Sequence, residues 1–231
     1  MNNFFLCFLI TIISGLSTMN GTLIILFNVK NKKRLISISL FFSALIMIYI
    51  SIFDLIPESF KYINKIYEFI PSIMIMSIYI ISGCLLVDFI NTKSKIDNQL
   101  YKVGIISMIA LILHNIPEGI ITFLSSYKDI NLGLVLSLSI ALHNIPEGIA
   151  ISIPIYYSTN NRKKAFYHTL IAALSEPLGG LFAFLFLKNI HDYSFAIILS
   201  FTAGIMIYLS LFDMIKESIK YHKLKMYDKL K

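Results

Sequence analysis

Two histidines and two glutamates lie in identical surroundings in this chain. Residues 113–120 and 142–149 both read LHNIPEGI, eight positions without a change at a spacing of 29. Each copy sets a histidine four residues before a glutamate, His114 with Glu118 and His143 with Glu147. On a helix that spacing puts both side chains on one face. Two imidazole nitrogens and two carboxylate oxygens complete a tetrahedral Zn²⁺ shell. A divalent cation would also offset the charge of the glutamates. Asn115 and Asn144 follow the histidines and point about 100° further around their helices. With Glu118, Glu147 and a third carboxylate, Glu176, they would form a second, oxygen-rich metal position that shares a glutamate with the first. The simpler reading of Glu176 is a hydrogen-bonded core carboxylate.

These residues sit in a membrane. Hydrophobic residues are 57% of the 231 and charged residues 14%, against about 25% charged in a soluble domain. Mean hydropathy is +0.76. Soluble and disordered classes are excluded, and two cysteines, Cys7 and Cys84, make neither a disulfide framework nor a Cys-rich zinc module. About 20 apolar residues cross a bilayer as a helix. Seven stretches qualify, at 4–27, 35–57, 69–90, 103–124, 130–155, 165–187 and 193–215. The fold class is therefore an all-α, polytopic transmembrane bundle forming a single domain over 1–231. The residues after Lys220 are too polar to span.

The basic residues orient the bundle. Sixteen lysines and arginines fall on one side, in loops 28–34, 91–102 and 158–164 and in the tail. Lys61, Lys65, Lys128 and Lys188 fall on the other. The richer side is expected to be cytoplasmic, with the N-terminus outside and the C-terminus inside. The first lysine is Lys30, so the start lacks the basic region of a cleaved signal peptide and the first span is expected to be retained. The net charge of +7 is spread over short loops, which argues against nucleic acid as a partner. Cys7 and Cys84 are expected at different depths, too far apart to bridge.

A second repeat brackets the first. FSALIMIYISIFDLIPES at 42–59 and FTAGIMIYLSLFDMIKES at 201–218 agree at twelve of eighteen positions, 159 apart. Span 2 runs opposite to span 7, and span 4 opposite to span 5, so both repeats are inverted in the membrane. Inverted repeats around a polar midplane site are characteristic of secondary transporters. His114 lies about 18 Å from its membrane boundary at 1.5 Å per residue, near mid-bilayer. Buried ionisable clusters at that depth are costly in lipid and point to function. Pro117 and Pro146 each remove a backbone N–H and free the carbonyl four residues back, Leu113 and Leu142. Gly119 and Gly148 allow close helix contact. Glu176 precedes Pro177 and Gly179-Gly180, which reads as a break in span 6.

Spans 2 and 7 carry matching polar stripes. Ser43, Met47, Ser51, Asp54 and Glu58 have the same spacing as Thr202, Met206, Ser210, Asp213 and Glu217. Asp54 near the outer end and Asp213 near the inner end are candidates for metal capture and release. End caps or headgroup contacts are the alternative. Met47 and Met206 offer thioethers or simple packing. His168 near the start of span 6 is a weaker candidate, and His191 and His222 carry no assignment.

The chain resembles the ZIP (Zrt/Irt-like) family of divalent metal transporters, and within it the bacterial ZupT-like branch. The resemblance rests on HNIPEG in spans 4 and 5, SEPLGG in span 6, and the AxIMIYxSxFD segments of spans 2 and 7. It implies an inner group of spans 2, 4, 5 and 7 and zinc as the principal transported substrate, with Fe²⁺, Mn²⁺, Co²⁺ and Cd²⁺ as further candidates. Zinc is then cargo, and no cofactor is implied. The implied main site is His114, Glu118, His143 and Glu147 with Met47 nearby. The adjacent site is Asn115, Asn144 and Glu176 with the shared glutamates. The resemblance further implies import across the cell membrane and a homodimer. Two features depart from it. The family has eight spans and this sequence shows seven, ending in a lysine-rich tail. The loop at 91–102 holds no His or Cys, where many relatives have a histidine-rich loop.

Three functions follow for comparison. The first is a passive or ion-coupled metal importer, since nothing resembles a P-loop. The second is a seven-helix intramembrane zinc hydrolase. That reading has no HExxH to work with and leaves the inverted repeats unexplained. The third is a truncated, non-transporting metal-binding remnant.

Overall fold

The structure is a computed structural model that describes residues 2–27, 30–186 and 192–229. The chain runs as α1 (Asn2–Leu16), a 3₁₀ stretch (Ser17–Leu26), α2 (Lys32–Ile50), a π stretch (Ser51–Leu55) and α3 (Ile56–Ile63). It continues as α4 (Phe69–Lys93), α5 (Gln99–Lys128), α6 (Ile130–Thr159) and α7 (Arg162–Phe186). The last span is α8 (Asp192–Tyr208), a second π stretch (Leu209–Met214) and α9 (Ile215–Lys229). Among the described residues, seven helices are long and apolar enough to cross a membrane, counting each interrupted helix as one. They coincide with the seven apolar stretches of the sequence. The 30 residues of α5 span about 45 Å against a hydrocarbon core of about 30 Å, so the end turns reach the headgroups.

Side chains set the turns. Asp129 alone joins α5 to α6 in an extended conformation. Its N–H donates to the Ser125 carbonyl at 2.9 Å and its carboxylate accepts from the Asn131 N–H at 2.9 Å. One residue thus ends one helix and caps the next, which makes the pair an antiparallel hairpin. Asn160 closes α6 with a left-handed backbone, φ 51°, a conformation asparagine tolerates better than most residues. Asn161 then caps α7 by accepting from the Lys164 N–H at 3.1 Å. Asn31 and Asn98 cap α2 and α5 in the same way.

Two layers result. The first span, α5, α6 and α7 pack on one another, and α4 packs with α2–α3 and α8–α9 in the second layer. The first layer is held by carbonyls seated on glycines. A Cβ on Gly119 would lie 1.8 Å from the Glu176 carbonyl oxygen, and one on Gly148 would lie 1.9 Å from that of Thr18. The layers meet where α2 packs on α6, with the Ser43 hydroxyl donating to the Pro146 carbonyl at 2.7 Å. Residues of α2, α5, α6 and α8 form most of the main apolar core. By contrast, only 11% of the most apolar part of α4 is buried.

Spans 2 and 7 pack antiparallel, and two hydrogen bonds repeat the sequence spacing of 159. Ser59 donates to the Ala196 carbonyl at 2.8 Å, and its repeat mate Ser218 donates to the Ser37 carbonyl at 2.7 Å. Ser59 and Ser200 also join by their hydroxyls. The ion pairs Glu58–Lys61 and Glu217–Lys220 are mates at the same spacing. The inverted repeat is therefore built into the contacts as well as the sequence.

Four local readings change. The second half of the first span winds as a 3₁₀ helix. Ser17 and Thr22 there donate to carbonyls three residues back, Ser14 at 2.6 Å and Met19 at 2.7 Å, matching the tighter winding. Spans 2 and 7 each carry a π stretch at the same repeat position, around Asp54 and Asp213. Span 6 is unbroken, because α7 runs through Pro177 and Gly179 with the Ile116 carbonyl packed onto Gly179. The polar tail continues as helix to Lys229, five residues beyond the end of the last candidate span at Leu224.

Gly119→Ala is expected to lower the stability of the folded chain by about 1–3 kcal/mol, the usual cost of forcing an atom into a filled space. Thermal melting in detergent, read by size-exclusion fluorescence, checks this.

Candidate metal site

Helices α5 and α6 bring the two histidine–glutamate pairs together. Their hairpin places both LHNIPEGI segments at mid-helix, and both prolines lie inside uninterrupted helix. Glu118 Oε1 lies 3.1 Å from His114 Nε2 and 2.8 Å from His143 Nε2. Glu147 Oε1 lies 3.4 Å from His114 Nε2. His114, His143 and Glu147 each offer a ligand atom within 4.8 Å of the others. A tetrahedral zinc with bonds of about 2.0–2.1 Å has its ligand atoms about 3.3–3.4 Å apart. His114 Nε2 and Glu147 Oε1 stand at that value, and the two Glu118 contacts are shorter.

The site is deep. His114 and Glu147 are 1% and 0% exposed, and the His143 side chain is 12% exposed. No lysine or arginine pairs with Glu118 or Glu147 among the described residues. Glu118 Oε2 and both carboxylate oxygens of Glu147 have no hydrogen-bond partner. Buried carboxylate oxygens left so are costly, and they are free to accept a cation.

Asn115, Asn144 and Glu176 form a cluster beside this one. Asn144 Nδ2 donates to Glu176 Oε2 at 2.9 Å and to the Ser14 carbonyl at 3.1 Å. Asn115 Nδ2 donates to the Ala172 carbonyl at 3.2 Å. With the amide N–H groups engaged, Asn115 Oδ1, Asn144 Oδ1 and Glu176 Oε1 are left buried and unpartnered. Each asparagine is thereby oriented by a neighbouring helix with its oxygen unused.

The ZIP zinc transporter family model matches residues 91–231. A zinc transporter ZupT from Oceanobacillus iheyensis is 38% identical over 248 residues, covering 98% of this chain and 92% of that protein. Zinc transporter ZupT from Clostridium perfringens is 33% identical over 262 residues with the same coverage. That from Streptococcus mutans is 33% identical, covering 95% of this chain and 89% of its own. The chain belongs to the ZIP zinc transporter family. It is an integral membrane protein.

The other candidates in this ZIP chain differ in their relation to the cluster. Met47 is fully buried in α2, one turn beyond the Ser43 that bonds the turn carrying Glu147. Asp54 is exposed and within charge–charge reach of His143 and Glu118. Asp213 stands apart from the cluster, accepting from Asn91 Nδ2 at 2.6 Å. His168 Nδ1 sits 2.7 Å from the Lys164 carbonyl, away from the other histidines. His191 lies outside the described residues, and His222 is an exposed tail residue. Both cysteines are free, with Cys84 Sγ 3.2 Å from the Gly204 carbonyl.

A third repeat escaped the sequence reading. The first span and α7 are related at a spacing of 158. Ser17 donates to the Ser14 carbonyl at 2.6 Å, and Ser175 donates to that of Ala172 at 2.5 Å. Those helices also receive the two asparagines at matching carbonyls, Ser14 and Ala172. Seven of sixteen positions agree at this spacing between 8–23 and 166–181, among them Thr11 with Thr169, Ser17 with Ser175 and Gly21 with Gly179. At this spacing Thr18 is the counterpart of Glu176, and its buried hydroxyl has no partner.

Asn144→Leu removes the donor that holds Glu176. A drop of about 1–3 kcal/mol in stability is expected, the cost of stranding a buried acceptor. A lower melting midpoint for this variant beside the parent chain checks it.

Proposed function

We propose that this chain transports zinc through the cluster of His114, Glu118, His143 and Glu147, with Asn115, Asn144 and Glu176 completing an adjacent, oxygen-rich position. The observation that carries this reading is a cluster of imidazole and carboxylate ligand atoms at mid-helix, within 4.8 Å of one another at His114, His143 and Glu147, with no lysine or arginine paired to it among the described residues. The names of the relatives agree with it. Met47, one turn along α2 from the Ser43 that bonds the Pro146 carbonyl, is assigned here as a neighbouring soft ligand. The donor set also suits Fe²⁺, Mn²⁺, Co²⁺ and Cd²⁺, so competition assays rank the cargo.

The route follows from the electrostatics. His143 is the least covered ligand, and Asp54 is exposed and within charge–charge reach of it. Asp54 then attracts the hydrated cation, and the histidines and glutamates replace its water. Asp213, in the matching position of the inverted repeat, receives the ion on the opposite side. With the lysine-rich loops cytoplasmic, Asp54 faces outward in the cell membrane and transport runs inward. The N-terminus is then outside and the C-terminus inside. Inverted repeats allow such exchange of access by alternating the roles of the two halves.

The test is ⁶⁵Zn²⁺ uptake into proteoliposomes beside a His143→Ala/Glu147→Ala variant. Saturable uptake is expected from the parent chain, with at least a tenfold loss in the variant, since each tenfold corresponds to about 1.4 kcal/mol. Uptake that survives in well-expressed variant protein overturns the assignment. Protons compete with metal for imidazole and carboxylate. Lowering the pH on the side of metal binding from about 7 to about 5 therefore weakens zinc binding, because imidazole titrates in that range. Equilibrium dialysis across that range reads this directly.

A further inference from the structure

A cleft on the lysine-rich side of the bundle has the chemistry of a lipid site. The 3₁₀ stretch is narrower than an α-helix. At Gly21 it is drawn tightly onto α6, where an added Cβ would lie 2.4 Å from the Gly148 carbonyl carbon. A gap opens on its other flank, against the start of α7. The resulting cavity has a volume of 240 Å³. Thr22, Ile25 and Leu26 line it from the 3₁₀ stretch, and Arg162, Lys163 and Phe166 from α7.

Its chemistry is divided. Ile25 is buried, whereas Leu26 and Phe166 are 57% and 45% exposed and carry the apolar wall out to the bundle surface. Arg162 and Lys163 are exposed, and Lys164 follows them. The first turn of α7 contains no acidic residue to offset these charges. None of the three pairs with a carboxylate among the described residues. The Thr22 hydroxyl already donates to the Met19 carbonyl. An occupant must therefore be anionic at one end and apolar at the other. A free anion meets only half of this requirement. Basic pockets between transmembrane helices are suited to acidic headgroups.

We propose that this cleft holds one anionic phospholipid from the leaflet on the lysine-rich side. Its phosphate lies between Arg162 and Lys163, and an acyl segment runs along Leu26 and Phe166. The lipid ties the first span to α7, the two helices that flank the α5–α6 hairpin. The site is independent of the metal cluster.

Native mass spectrometry of the purified full chain, titrated with phosphatidylglycerol or phosphatidylcholine, tests it. Phosphatidylglycerol is expected to be retained at activation energies that strip phosphatidylcholine. Arg162→Gln/Lys163→Gln should weaken it about thirtyfold, from about 1 kcal/mol per basic contact. Arg162→Lys/Lys163→Arg should retain it. Lys216→Gln/Lys223→Gln, which removes charge on the same side away from the cleft, should leave it unchanged. Leu26→Trp, which fills the cleft without altering charge, should also expel the lipid, and this variant decides if the charge variant fails to fold. Equal retention of the two lipids overturns the proposal. So does an equal loss in the Lys216/Lys223 variant, or displacement by millimolar inorganic phosphate.

Discussion

Two buried glutamates share one buried and one half-buried histidine, and no lysine or arginine pairs with any of them among the described residues. That constraint organises the molecule. Burying carboxylates is costly unless they are paired or hydrogen-bonded. Here the imidazoles supply part of that pairing and leave several oxygens unused. A structure with this centre needs rigid surroundings, because the ligands hold their spacing only if their helices do. The carbonyl–glycine contacts at Gly119 and Gly148, one residue beyond each glutamate, provide that rigidity. They lock α5 onto α7 and α6 onto the first span. The asparagines add polar fasteners between the same helix pairs, one residue beyond each histidine.

The second organising feature is an approximate two-fold relation that reaches beyond the apolar pattern. Spans 4 and 5, spans 2 and 7, and spans 1 and 6 are each related by repeated contacts. The relation is imperfect where the chemistry differs. Glu176 on α7 faces Asn144, while its counterpart on the first span is Thr18, a neutral hydroxyl. The site is thus built from symmetric helices and completed by one asymmetric carboxylate. The π stretches obey the same relation, each holding its aspartate at the same point of its span. Such local widening of a helix turn is common where backbone must bend near a functional site.

The layers differ in what they bury. The first span, α5, α6 and α7 form a closely packed group through glycine contacts. The second layer meets it through α2 and α8 and leaves most of the α4 surface outward. A polar hydrogen bond such as Ser43 to Pro146 sits at that junction. Without a hydrophobic driving force between helices in lipid, association depends on close packing and hydrogen bonds of this kind.

Sequence alone determined the class of the molecule, its seven spans, their inverted repeats and the residue types of the cluster. Those follow from composition, from apolar runs longer than a bilayer requires, and from duplicated motifs, all of which are local along the chain. Helical spacing also placed His114 with Glu118 and His143 with Glu147, because four residues return to one face. The tertiary structure decided the rest. Only the packed hairpin put Glu118 between both imidazoles, and only the neighbouring helices turned the asparagine oxygens away from their backbone partners. The 3₁₀ and π stretches were hidden for the same reason, since winding there is set by contacts with other spans. The repeat between spans 1 and 6 survives as seven scattered identities over sixteen positions, with no run longer than Leu-Ser. Part of that symmetry is carried by the carbonyls of Ser14 and Ala172 that receive the asparagines, and a carbonyl leaves almost no mark on the identity of the residue that bears it.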